Sequence, residues 1–150
     1  MRFMMMVKGD ADPNATEGAE AYQPTTEQFE EMNAYNDELV KAGVMLGGEG
    51  LHPTSQGVRV VVSDPGKKVI DGPFAESKEV VAGFWILQAK SLAEATEWAK
   101  RVPNLAPPGV ENVVELRQIH EVEDLGEEFT PELREKEAAQ REQAAANANN

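Results

Sequence analysis

Cysteine is absent from the 150 residues. Its absence excludes a disulfide framework, a thiolate nucleophile and a thiolate-bound metal. Histidine is scarce: His52 and His120 are the only two, so a three-histidine metal centre is excluded as well. Cations are outnumbered, with 14 Lys plus Arg against 27 Asp plus Glu and a net charge of −13. A general grip on nucleic acid requires cations to neutralise phosphates, so direct nucleic-acid binding is not expected. Anionic membrane surfaces are disfavoured on the same ground. No apolar run is long enough to span a bilayer. Met4-Met5-Met6 is cut short by Lys8 and Asp10 and does not read as a signal peptide. The expectation is a cytoplasmic protein.

What is present suffices for one domain. Hydrophobic residues make up 41% of the chain, and its length matches the commonest domain size. Composition shifts near residue 120. Residues 121–150 hold nine acidic and three basic residues, and their only large apolar side chains are Val122, Leu125, Phe129 and Leu133. The reading is a body over residues 1–120 and an acidic, partly helical extension over 121–150 whose Ala- and Asn-rich end is disordered.

Element signals alternate along the body. Phe3-Met4-Met5-Met6-Val7 reads as a strand covered on both faces. Residues 10–23 are rich in Asp, Gly, Pro and Asn and read as a long loop. Thr25-Thr26-Glu27-Gln28 is a capping box, followed at helical spacing by Phe29, Met32, Asn36, Leu39 and Val40, with Gly43 as the stop. Val44-Met45-Leu46 predicts a short strand running into a glycine-rich bend at Gly47-Gly48-Glu49-Gly50-Leu51-His52-Pro53. Val58 to Val62 and Lys68 to Ile70 predict a hairpin turning at Asp64-Pro65-Gly66. Val80 to Leu87 predicts a strong strand. Ser91-Leu92-Ala93-Glu94 is a second capping box, opening a helix with Leu92, Ala95, Trp98, Ala99 and Val102 on its apolar stripe until Pro103. Val113 to Ile119 predicts a last strand near an edge, and Thr130-Pro131-Glu132 opens a polar third helix.

The order β-α-β-(β-hairpin)-β-α-β predicts an α+β sandwich of ferredoxin-like type with both helices on one sheet face. Val, Met, Phe and Trp occupy both faces of the strands, so the second face needs a cover. A second copy is the simplest one, and a homodimer is expected.

The run Val69-Ile70-Asp71-Gly72-Pro73-Phe74-Ala75-Glu76-Ser77-Lys78-Glu79 resembles the YCII-related family, in the branch named for its DGPF motif. Glu38 to Leu51, Gly83-Phe84-Trp85-Ile86, Ala95 to Ala99 and Val114-Glu115-Leu116-Arg117 carry the resemblance across residues 1–120. The stretch from Glu121 through Arg134 resembles the extension that some members of that branch carry. The sequence departs from the usual spelling at Ser77, where Thr is common, and in its longer loop after the first strand. The resemblance implies a dimeric α/β barrel. It further implies an enzyme-like role, with a His–Asp pair proposed in some branches, or a link to sigma-factor-associated transcription.

The chemistry permitted by the residues centres on two loops. His52 follows the glycine bend and Asp71 ends the hairpin. A carboxylate beside an imidazole orients it as a general acid or base, which makes His52 and Asp71 the candidate catalytic pair. The competing reading leaves His52 on an exposed loop and makes Asp71-Gly72-Pro73-Phe74 a purely architectural turn. Glu49, Arg59, Glu76 and Lys78 are candidate ligand-binding residues, the two cations suiting an anionic group. His120 reads as a surface residue. No metal and no cofactor is required, and the glycine bend lacks the Lys-Ser/Thr pair of a phosphate loop. Two functions follow. One is a small-molecule-binding, enzyme-like protein with a proton-transfer pair. The alternative is a non-catalytic regulatory protein that captures a protein partner through its acidic tail.

Overall fold

Side chains of a strand point alternately to opposite faces, and that alternation divides Phe3-Met4-Met5-Met6 between two surfaces. In the computed structural model, which describes residues 1–9, 24–64, 66–74, 79–106, 109 and 111–148, Phe3 and Met5 are fully buried while Met4 and Met6 are half-buried. They lie on β1 (Arg2–Gly9). Then come α1 (Thr26–Lys41), β2 (Met45–Gly50), β3 (Val58–Val62), β4 (Lys67–Asp71), β5 (Val80–Gln88), α2 (Leu92–Ala99), β6 (Val113–Gln118) and α3 (Pro131–Ala148). Strands β2, β5, β1 and β6 form one antiparallel sheet in that order, and β3 pairs with β4 in a separate hairpin. The fold is α+β and ferredoxin-like, as the order of elements predicts.

The covered sheet face makes the core. Met5 sits opposite Trp85 of β5 and Leu116 of β6. Tyr35 and Leu39 of α1 pack on Met5, Trp85 and Leu87, while Ala95 of α2 packs with Phe3 and Ala89. Polar tips inside this layer are satisfied. The Tyr35 hydroxyl donates to the Trp98 carbonyl at 3.0 Å, and the Trp85 indole N–H donates to Asn36 Oδ1 at 2.9 Å. Burial pushes the Tyr35 phenol up to about 12.

The capping box of α1 is complete. Thr25 Oγ1 accepts from the Gln28 N–H, and the Gln28 side chain accepts from the Thr25 N–H. Gly43, at φ +69°, turns the chain out of the helix into the left-handed region that favours glycine. The stripe is rotated from the expected one. Phe29 and Val40 are exposed, and Tyr35 takes the buried position. Met32, Tyr35, Asn36 and Leu39 follow helical spacing, and hydrogen bonds at Tyr35 and Asn36 make a polar-tipped face buriable. Leu92, expected on the apolar stripe of α2, is exposed as well. At α2, Ser91 caps the Glu94 N–H, but Glu94 accepts from Lys90, one residue earlier than a capping box requires.

Of the bend expected over residues 47–53, residues 47–50 are instead strand and the chain leaves it only at Leu51. β2 continues through its glycines to Gly50, with a bulge between Met45 and Gly47. Space explains Gly48: a Cβ there would lie 2.8 Å from Trp85 Cδ1 and 2.9 Å from the Phe84 carbonyl. The glycine lets the indole lie against the strand.

The chain divides into two units, Met1–Gln118 and Ile119–Asn150. In the second, the Arg134 guanidinium donates to the carbonyls of Val122, Gly126 and Phe129 at 2.8–3.0 Å and ties the segment before α3 to its first turn. α3 has no buried residue. Among the described residues no helix is long and apolar enough to cross a membrane.

Candidate functional site

Two loops at the end of the hairpin are locked to one another. The Leu51 N–H donates to the Ala82 carbonyl as the chain leaves β2, and His52 and Pro53 lead into a short 3-10 turn over Thr54–Gln56. The Gly72 N–H donates to the Gly57 carbonyl at 2.9 Å, and the Phe74 N–H donates to Thr54 Oγ1 at 3.3 Å. The Gly72–Pro73 peptide is cis. A Cβ on Gly72 would fall 1.7 Å from the Thr54 carbonyl oxygen, so only glycine permits the two loops to approach this closely. The Arg59 guanidinium of β3 lies 4.1 Å from the centre of the Phe74 ring, within cation–π range. The motif Asp71-Gly72-Pro73-Phe74 thus serves as a clasp for residues 54–57.

The candidate residues fall around this clasp. His52 is exposed two residues before Thr54, and Asp71 is exposed at the end of β4 opposite Val58. Among the described residues no hydrogen bond or ion pair joins His52 to Asp71. Arg59 meets the motif through Phe74. Glu49 stands apart on β2, exposed and opposite Phe84. Glu76 and Lys78 lie outside the described residues. His120 is exposed. Among the described residues no group of three His, Asp or Glu side chains is placed to hold a metal ion.

One cluster is not evident from sequence spacing. On the sheet face away from the core, Glu49, Phe84, Met6 and Glu115 form one row across β2, β5, β1 and β6. Ile86, Met4 and Arg117 form the next. On the other side of the Met6 row, Lys8, with its side chain only 16% exposed, is ion-paired with Glu115 and, at 2.6 Å, with Glu79. Hydrogen bonding to Glu115, then to Glu79, holds the Lys8 ammonium above its ordinary pKa. The Lys8 contact holds Glu115 below the usual carboxylate value. The face is therefore apolar at its centre and charged at its rim. The signal in the sequence is slight: Lys8 shares the alternation of Met4 and Met6, but Glu79 and Glu115 are distant in the chain.

This architecture has a family. The YCII-related domain model matches residues 1–123, and the chain belongs to that family. It is similar to an uncharacterized protein of Rhizobium meliloti (strain 1021), 34% identical over 77 residues. That alignment covers 51% of this chain and 62% of the relative, so the chain spans less than two thirds of the relative's length.

Proposed function

We propose that this YCII-related domain is a cofactor-independent, small-molecule-binding protein of enzyme-like type. Its ligand lies between the open sheet face and segments 47–55 and 71–79. His52 and Asp71 handle protons there, and Glu49, Arg59, Glu76 and Lys78 contact the ligand. The observation that carries this reading is the clasp. Bonds from Gly72 and Phe74 to residues 54–57 hold in register the two loops that bear His52 and Asp71. The apolar centre and charged rim of the open face suit a small carboxylic or aromatic ligand. A second copy covers that face in a homodimer and closes the α/β barrel. These features fit the DGPF branch of the family.

The test is NMR on the two histidine rings, followed through pH in wild type and in Asp71→Asn. The expected result is that the His52 titration curve moves in the variant while that of His120 does not. Coincident His52 curves would remove the pair. A panel of small carboxylic and aromatic compounds should shift His52 and residues 71–74, and a panel that shifts neither would remove the ligand site.

A second reading draws on the acidic extension. A helix with no buried residue, in a unit tied together by Arg134, suits capture of a protein partner in a regulatory role linked to sigma-factor-associated transcription.

A further inference from the structure

Among the described residues the hairpin of β3 and β4 pairs with no other strand, and a two-stranded hairpin alone is marginal in water. Directly paired residues of an antiparallel ladder share a face. The register therefore assigns Val58, Val60, Val62, Lys67, Val69 and Asp71 to one face, and Arg59, Val61, Lys68 and Ile70 to the other. The second face carries the Arg59 contact with Phe74, and its Val61 and Ile70 are less exposed, at 46% and 38%. The first is left open: Val58 is 59% exposed, Val60 51%, Val62 73% and Val69 62%. Four exposed valines on one face need a cover.

The charges at its ends select that cover. Asp71 closes the valine strip at one end and Lys67 at the other, both exposed. Among the described residues neither forms an ion pair. A twofold axis in the plane of this face, crossing the strands at the Val60–Val69 pair, lays one hairpin on another. It stacks Val69 on Val69 and Val60 on Val60, and sets Asp71 of each copy against Lys67 of the other. An axis along the strands instead sets Asp71 against Val58 and Lys67 against Val62, leaving all the charges unmatched. We infer that the β3–β4 hairpin is a self-complementary interface that binds the same face of a second copy of this chain, sealed by two symmetric Asp71–Lys67 pairs. This contact is separate from the one covering the open sheet face and does not depend on it. A carboxylate has two oxygens, so the pairing leaves Asp71 a second one toward His52.

Sedimentation equilibrium on the full chain tests the inference. Wild type should self-associate. Lys67→Glu and Asp71→Lys each create two like-charge contacts and should weaken association by about tenfold or more. Combining Lys67→Glu with Asp71→Lys should restore it. Val69→Asp, on the interface face, should abolish this contact, and Val61→Asp, on the other face, should leave it intact. If the open sheet face also dimerises, the hairpin variants halve the assembled mass rather than yield single chains. A monomeric wild type, or an association indifferent to Lys67→Glu and Val69→Asp, overturns the inference. Failure of the double exchange to restore association also overturns it, provided circular dichroism shows that variant folded. If it does not fold, the exposed Lys67→Glu and Val69→Asp substitutions decide.

Discussion

Gly72 and Glu115 show how single residues acquire weight from neighbours distant in the chain. A methyl group on Gly72 meets a backbone carbonyl at 1.7 Å, and a carbonyl cannot rotate aside as a side chain can. Gly72→Ala should therefore destabilise by about 1–3 kcal/mol, the usual cost of overpacking. Gly50→Ala, where a Cβ meets nothing within 4 Å, should stay within about 0.5 kcal/mol of wild type. Urea midpoints compare the two, and equal midpoints would show that the clasp is not tight. Glu115 bears on pH. Its folded-state pKa is depressed by Lys8, so its stabilising contribution is present above the ordinary 4.5 and is lost as pH falls through the lowered value. Glu115→Gln should lower the urea midpoint at neutral pH, and the difference should close on acidification. A difference that persists to the lowest pH would mean that the pair carries no such linkage. None of this is legible locally. Asp71-Gly72-Pro73-Phe74 is recognisable as a turn, but what Gly72 makes room for is a carbonyl 18 residues earlier in the chain.

Elements followed local signals wherever those signals are local hydrogen bonds. Both halves of the Thr25–Gln28 box form, and Thr25→Ala should cost about 1 kcal/mol, read as a lower thermal midpoint. An unchanged midpoint would place the stability of α1 wholly in its packing. Gly43 ends α1 where the sequence places the stop. The misplacements arise where packing outranks hydropathy. Tyr35 displaces Phe29 and Val40 from the buried stripe because the Trp98 carbonyl receives its hydroxyl. β2 runs on through its glycines, and Gly48 among them leaves the space that the Trp85 ring occupies. The hairpin is the opposite case: its valines predict strands correctly, but their exposure follows from tertiary placement alone.

At the scale of the whole molecule, the four-stranded sheet and the two helices account for the core, and the second unit stands by its own ties. Deletion of residues 121–150 should remove the circular dichroism of α3 and leave the near-ultraviolet signal of buried Trp85 intact. Loss of that signal would tie the extension to the fold of the body. The sequence by itself determined the order of elements and the ferredoxin-like class, because periodicity, caps and turn residues act between neighbours in the chain, and its motif run from Val69 to Glu79 carried the family resemblance. The tertiary structure alone decided the partners of Lys8, the clasp between residues 54–57 and 72–74, and the outward valine face of the hairpin. Each depends on atoms that are far apart in sequence and meet only when strands from different parts of the chain pack together.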